Sequence, residues 1–427
     1  MAASSPDATS TEPGGVSPFR REVPGALGSN WSDSRTSSSG ARPEGAPSFS
    51  RKSTPERTDS SWPGPRGHSR PPRVLIAGGG PGGAATAIAL ATHGIQALVL
   101  ERTEGHRPKP GECLSPGFKP LLARLGLTDL FASGTHRPFT GMAAAWERAE
   151  PTERNLLFEV SGEGWLLDRA AFEARLAEVA RTRGALWRQG YRVAGVTRNG
   201  HDRWRVSVEG ERGRFEVDTD FIVDATGRAA AVARMLGVER QRFDGLVGSW
   251  GLLEPIGGAP PPAASPIHIE AMRNGWWYVA RLPDGRFSAV LFADRAVLEP
   301  EAFLAALRGA SHALALLGGR AFRLSGPPTA HPAHSSRLER ACGPGWFAVG
   351  DAAASFDPLS SYGIGSALGT GFYAAQAIVS AWAGGATSLE AYRYLIDSRY
   401  PHYLDTLGER YRAVSRWPDS PFWERRR

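Results

Sequence analysis

Val74-Leu75-Ile76-Ala77-Gly78-Gly79-Gly80-Pro81-Gly82-Gly83 decides how this 427-residue chain folds. Four consecutive apolar residues ending at glycine fit a strand buried on both faces, as in a parallel sheet. The small residues from Gly82 to His93 then fit a helix, and Ala97–Leu100 a second buried strand ending at Glu101. In a strand–turn–helix unit of this kind Gly78 permits the tight turn. Gly80 lets a pyrophosphate approach the backbone, and Gly83 lets helix and strand pack closely. The free amides and positive dipole end of the helix face the phosphates. Glu101, 18 residues after Gly83, is placed to accept from a ribose hydroxyl. The unit predicts a dinucleotide site in an α/β protein.

Upstream the texture changes abruptly. Residues 1–72 hold 16 Ser, 11 Pro and 8 Gly with almost no aliphatic side chains, so they cannot bury enough apolar area to offset chain entropy. A disordered tail is expected there. Its twin arginine, Arg20-Arg21, precedes no apolar stretch, which argues against an export signal. The net charge of +7 rests almost wholly on arginine, since lysine occurs only at Lys52, Lys109 and Lys119. That charge is scattered among 43 acids rather than gathered in a stripe, which argues against nucleic-acid binding. No apolar run reaches the roughly 18 residues of a membrane span. The two cysteines, Cys113 and Cys342, make neither a disulfide framework nor a zinc site, and no metal site is expected. Their scarcity suits a reducing cytoplasm.

Downstream, Asp168–Arg183 places Ala171, Phe172, Leu176, Val179 and Ala180 on one helical face, with Asp168 as N-cap. Strand-like stretches follow at Trp204–Glu209, Phe215–Val217 and Phe221–Val223, the last running into Asp224-Ala225-Thr226-Gly227. Short β-like segments separated by Gly and Pro fill 241–295, including Trp276–Leu282 and Phe287–Ala293. A helix is expected over Phe303–Leu317, a buried strand at Trp346–Val349, and helices over Gly365–Trp382 and from Leu389 to about Trp417. These elements divide the chain into a discontinuous dinucleotide-binding domain (73–240 and 330–385), an inserted antiparallel-sheet substrate domain (241–329) and a C-terminal helical region (386–427).

Asp224-Ala-Thr-Gly227 and Gly350-Asp351-Ala-Ala each follow an apolar run, as the first glycine motif does. The three together resemble the fingerprints of the FAD-dependent aromatic hydroxylase and halogenase superfamily. The resemblance implies a Rossmann-like FAD-binding domain of the aromatic hydroxylase type. It further implies FAD contacts at Glu101-Arg102, Asp168-Arg169, Asp224 and Gly227, with Asp351 on the ribityl chain. Asp357-Pro358 would lie beside the flavin ring, and the helix start at Gly363 and Gly365 under its pyrimidine.

Pro110-Gly-Glu-Cys-Leu-Ser-Pro116, Gly164-Trp-Leu-Leu-Asp-Arg169 and Gly275-Trp-Trp-Tyr278 with Leu282-Pro283 narrow the likeness. The combination is similar to the flavoproteins that mature quinoprotein amine oxidases and dehydrogenases, among them a tryptophan-hydroxylating member. Over Phe139–Pro151, where halogenases of the superfamily carry their lysine, this chain has none, and an ungapped alignment puts Met142 there. The glutamate that tryptophan halogenases carry after Pro-Leu is Ser360. The resemblance thus implies a monooxygenase that uses FAD and O2 to hydroxylate an aromatic substrate, in particular a tryptophan of a partner protein. Electrons would come from NAD(P)H or from a separate flavin reductase. A halogenase working through Lys109 or Lys119 is the alternative, followed by a flavin reductase of isoprenoid double bonds.

For the chemistry itself, Trp276, Trp277 and Tyr278 are read either as an aromatic wall for the substrate or as core. Tyr362 lies in the segment that the likeness puts at the flavin. His331 and His334 are acid/base candidates or structural histidines, and Glu112 is a flavin-side carboxylate or a helix cap.

Overall fold

The computed structural model describes residues 72–427 except 106, 157–161, 201–202, 212, 258–265 and 386. The disordered tail expected for 1–72 therefore lies outside the described residues up to residue 71. Val74–Ala77 is the centre of a six-stranded sheet. It pairs in parallel with Phe221–Asp224 on one side and Ala97–Glu101 on the other, Val74 standing opposite both Phe221 and Ala97. Leu186–Gln189 extends the sheet beyond Ala97–Glu101, and Trp346–Ala348 beyond Phe221–Asp224. Only the edge pair Cys342–Gly343 with Trp346–Ala348 is antiparallel. Helices cover the sheet, so the central strands read as unbroken apolar runs: Val74, Leu75 and Ile76 are fully buried.

The helix Pro81–Ala91 packs on the long helix Gly363–Trp382. The two backbones meet so closely that a Cβ on Gly371 would stand 2.3 Å from the Gly82 carbonyl oxygen. Arg169–Thr182 is the expected third helix, and Asp168 caps it by accepting from the Ala171 amide at 2.9 Å. Tyr191–Arg198, Trp204–Gly210 and Gly213–Thr219 form a small antiparallel meander.

A second layer is an eight-stranded sheet. In order its strands are Phe322–Leu324, Val247–Pro255, Phe287–Ala293, Gly275–Arg281, Ile267–Met272, Gly141–Ala145 and Thr152–Asn155, and Thr329–Pro332 also pairs with Val247–Pro255. This sheet draws on more of the chain than 241–329. Residues 141–155 join it because Gly141–Ala145 runs parallel to Ile267–Met272, a long-range pairing that no local pattern signals. Its outer face is covered by two helices, Pro300–Arg308 and Ser311–Ala315, where one was expected over Phe303–Leu317. The stretch divides at Ala310, whose φ of −99° and ψ of 87° leave the helical path between the two.

The C-terminal helix Ser388–Arg412 buries Tyr392, Tyr400, Tyr403 and Tyr411, which fall within about 100° of one another around its axis. A final turn, Pro421–Glu424, buries Phe422 and Trp423 against the substrate layer. Among the described residues no helix is long and apolar enough to cross a membrane, and no group of three His, Cys, Asp or Glu side chains is placed to hold a metal ion.

Candidate flavin and substrate site

The glycine turn is built as its spacing requires. Gly78 has φ of +109°, and a Cβ there would lie 2.1 Å from the Ala225 carbonyl oxygen. A Cβ on Gly83 would lie 2.0 Å from the Gly78 carbonyl oxygen. Gly80 differs from both: no atom comes within 4 Å of its Cβ position. The helix Pro81–Ala91 therefore begins against open space, a cradle that suits a pyrophosphate. Glu101 stands at the rim of that space. Its Oε2 accepts from the Gly79 amide at 2.7 Å, and its Oε1 from the amide and hydroxyl of Thr103 at 2.9 and 2.6 Å. Arg102 beside it is exposed.

The other expected cofactor residues divide into those that face open space and those bound up in the protein. Gly227 (φ +67°) and Gly363 have no atom within 4 Å of their Cβ positions, and Pro358 and Gly363 are exposed. Asp351 is partly exposed and pairs at 3.5 Å with Arg228, whose guanidinium also donates to the His334 carbonyl at 2.6 Å. Asp224, by contrast, is fully buried. Its Oδ1 accepts from the amide and hydroxyl of Thr226, and its Oδ2 from the Ala233 amide at 2.8 Å, so its charge shapes the turn after the strand. Arg169 is likewise a strut. It donates to the carbonyls of Pro110 and Gly111 at 2.9 and 2.7 Å and to Glu173 at 2.6 Å, and only its Nε is buried without a partner. Gly365 makes room for the Phe118 ring, which would meet a Cβ at 2.0 Å, rather than for a flavin ring.

Between the turn 110–114 and the inner face of the eight-stranded sheet lies the polar centre of the molecule. Strand alternation points Trp250, Leu252, Ser288, Tyr278 and Ala280 toward that turn. The Trp250 indole N–H donates to the Ser288 hydroxyl at 2.9 Å, and that hydroxyl hydrogen-bonds the Glu112 carboxylate. Glu112 is 2% exposed, and burial pushes its pKa up against the smaller opposing effects of Ser288 and Arg169. Cys113 is next to it and reaches Ser361; burial first, then the Glu112 charge, push its thiol up to about 12. The Tyr278 hydroxyl is buried without a partner, and burial, then Glu112 and Cys113, raise its pKa well above the ordinary value. Met142 packs into the same apolar cluster as Cys113 and Tyr278.

The catalytic candidates are redistributed accordingly. Trp277 alternates onto the opposite face and is packed edge-on to Phe303 under the outer helices, so it is core and lies away from the centre. Trp276 shares the inner face with Tyr278 but is filled in by Phe292 and Trp146. His331 flanks the centre edge-on to Trp250 at 5.9 Å, shares a 2.9 Å hydrogen bond with Thr329, and has its pKa lowered by burial. His334 is held to about 4, by burial first and then by Arg228 and Arg242. Tyr362 lies edge-on to Phe356 at the base of the 357–363 turn.

Three functional features went unread in the sequence: Trp250, Ser288 and the anchoring of that turn. Asp357 is 1% exposed, accepts from the Leu359 amide at 2.9 Å and from the Tyr411 hydroxyl at 2.8 Å, and donates its own amide to the Tyr403 oxygen at 2.6 Å. The Trp276 indole N–H donates in turn to Tyr411 at 3.0 Å. Burial above all raises Asp357 to about 7. The spacing of Tyr392, Tyr400, Tyr403 and Tyr411 on one helical face was the available signal.

Residues 72–274 match the family model described as an FAD binding domain. Over 364 residues, 83% of this chain and 96% of the relative, the sequence is 31% identical to the putative FAD-dependent oxidoreductase LodB of Marinomonas mediterranea. The chain belongs to this FAD-dependent oxidoreductase family. FAD is accordingly its cofactor, and the open cradle at Gly80 fits one. The family's wider neighbourhood includes the tryptophan 2-halogenase of Chondromyces crocatus, 25% identical with 82% of this chain and 70% of the relative covered. It also includes the solved structure of QhpG, a peptidyl tryptophan dihydroxylase essential for tryptophylquinone cofactor biogenesis. QhpG superposes with a TM-score of 0.67 at 26% identity, covering 84% of this chain and 79% of that one.

Proposed function

We propose that this chain is an FAD-dependent monooxygenase that hydroxylates a tryptophan side chain of a partner protein during maturation of a quinone cofactor. The observation that carries the reading is Met142. The position aligned with the halogenase lysine holds a thioether that packs, as Tyr278, Ile269 and Cys113 do, against the buried cluster of Phe139, Leu166 and Ala280. Position 142 itself offers no ammonium group, and Lys109, which lines the cleft beside Glu112, is engaged elsewhere. The nearby Lys109 is held by Glu173 at 2.6 Å. The likeness to QhpG supports the protein substrate and the quinone context.

In this reading Gly78, Gly80 and Gly83 with the helix Pro81–Ala91 hold the pyrophosphate, Glu101 the ribose, and Asp351 the ribityl chain. Arg169 braces the 110–111 turn, and Asp357 fixes the turn ahead of Gly363. When bound and reduced, FAD supplies the chemistry that activates dioxygen, with electrons from NAD(P)H or from a separate flavin reductase. The chain's own task is to seat the aromatic ring and keep water out, and the inner sheet face, with Trp250, Leu252 and Tyr278, is apolar enough to do both.

The test incubates the FAD-loaded protein with a tryptophan-bearing quinoprotein precursor, a reductant, halide and ¹⁸O2. One or two labelled oxygen atoms on the precursor's tryptophan support the reading. A chlorine or bromine isotope pattern on the product establishes the halogenase alternative instead.

A further inference from the structure

Glu112 is a buried carboxylate without an ion pair. The nearest cation, Arg169, spends its N–H groups on Pro110, Gly111 and Glu173. The contacts Glu112 does have are a long 3.2 Å hydrogen bond from the Gly111 amide and the Ser288 hydroxyl. Burying a carboxyl on these contacts alone, without an ion pair, costs stability, and such groups collect at functional sites.

Its surroundings define what it faces. Glu112 lines an open cleft together with Trp250, Leu252, Leu282 and Pro283. Those four side chains are an apolar part of the lining and suit a flat aromatic group, while Lys109, Asp168, Arg169, Asp284 and Arg286 line other parts of the cleft. The geometry is fixed from both sides: Ser288 receives the Trp250 N–H and hydrogen-bonds Glu112, so one hydroxyl sets the ring wall and the carboxyl relative to each other. The Trp250 N–H is thereby satisfied on the side of the cleft where Glu112 stands.

We propose that Glu112 is a substrate-binding residue that accepts a hydrogen bond from the ring N–H of an indole seated against Trp250 in this cleft. The inference rests on the hydroxylase reading for the identity of the ring and adds the residue that recognises it. Ser288 is a positioning residue. A site built to receive an N–H rejects the isostere that lacks it, because a buried acceptor is then left unmatched.

The experiment measures binding of N-acetyltryptophanamide and of its benzothiophene isostere, which has sulfur in place of the ring N–H, to the FAD-loaded protein by equilibrium dialysis. The wild type is expected to bind the indole at least about tenfold more tightly, because the isostere leaves a buried acceptor unmatched. Glu112→Leu is expected to bind the two alike, and Ser288→Ala to narrow the gap. If Glu112→Leu does not fold, Glu112→Gln, which keeps the shape but replaces the carboxyl by a weaker amide acceptor, is expected to reduce the gap to a few-fold. Equal binding by the wild type, no binding of either probe, or a gap that survives loss of the carboxyl overturns the inference. The hydroxylase reading falls separately, on the isotope experiment, and no outcome of dialysis decides it.

Discussion

Replacing Asp357 by Asn tests the buried chain Trp276–Tyr411–Asp357 through its dependence on pH. Asp357 is 1% exposed, and burial holds its pKa at about 7 against an ordinary 3.8. A carboxyl whose pKa is raised by folding binds its proton more tightly in the native state. The associated stability is therefore complete below about pH 4 and is lost as pH rises to about 7. The rise from 3.8 to about 7 corresponds to about 4 kcal/mol in all, and about 2–3 kcal/mol of it falls between about pH 5 and pH 8. Asparagine does not titrate. It also upsets the hydrogen bond from Tyr411, at a cost of about 1–3 kcal/mol that does not vary with pH over this range. Urea unfolding of both FAD-saturated proteins at pH 5 and pH 8, followed by tryptophan fluorescence, gives four free energies. The stability of wild type relative to Asp357→Asn is expected to fall by about 2–3 kcal/mol from the lower pH to the higher. Equal differences at the two pH values would refute the assignment of a neutral-range proton to this carboxyl.

Other variants probe other contacts. Tyr411→Phe leaves both the Trp276 N–H and an Asp357 oxygen unmatched in the interior, so urea unfolding at pH 8 is expected to show a loss of about 2–4 kcal/mol. Gly83→Ala drives a methyl to 2.0 Å from the Gly78 carbonyl oxygen, and retained flavin absorbance after desalting is expected to drop severalfold. Trp277→Ala removes a fully buried ring from the outer core, for a loss of about 3–5 kcal/mol. Because that ring lies on the far face, the indole-over-benzothiophene preference measured in the folded variant is expected to be unchanged.

What the sequence disclosed follows the range of the interactions involved. The strand Val74–Ala77 and the helix after it were legible because a buried parallel strand and a phosphate turn leave their marks within ten consecutive residues. The cap at Asp168 was legible for the same reason. The inner sheet face was not. Ser288 and Glu112 are joined across 176 positions of chain, and Trp250 reads as one aromatic among many until the alternation of its strand is known. Trp277 and Tyr278 are neighbours in sequence and opposites in role, and only the pleat separates them. Arg169 and Asp224 match their motifs in type, but the structure spends both on backbone groups. A motif records that a polar group is needed in a place and leaves open whether ligand or chain uses it.

The C-terminal helix has a consequence for the order in which the protein is made. Tyr411, Phe422 and Trp423 close the cluster that holds Trp146 and Trp276, and Tyr411 also completes the environment of Asp357. During synthesis the glycine turn and its two neighbouring strands emerge long before these residues. A ribosome-bound chain halted ahead of Tyr403 would carry the phosphate cradle but lack the tyrosines that anchor the 357–363 turn. The buried surroundings of Asp357 are therefore complete only once Tyr403 and Tyr411 have emerged.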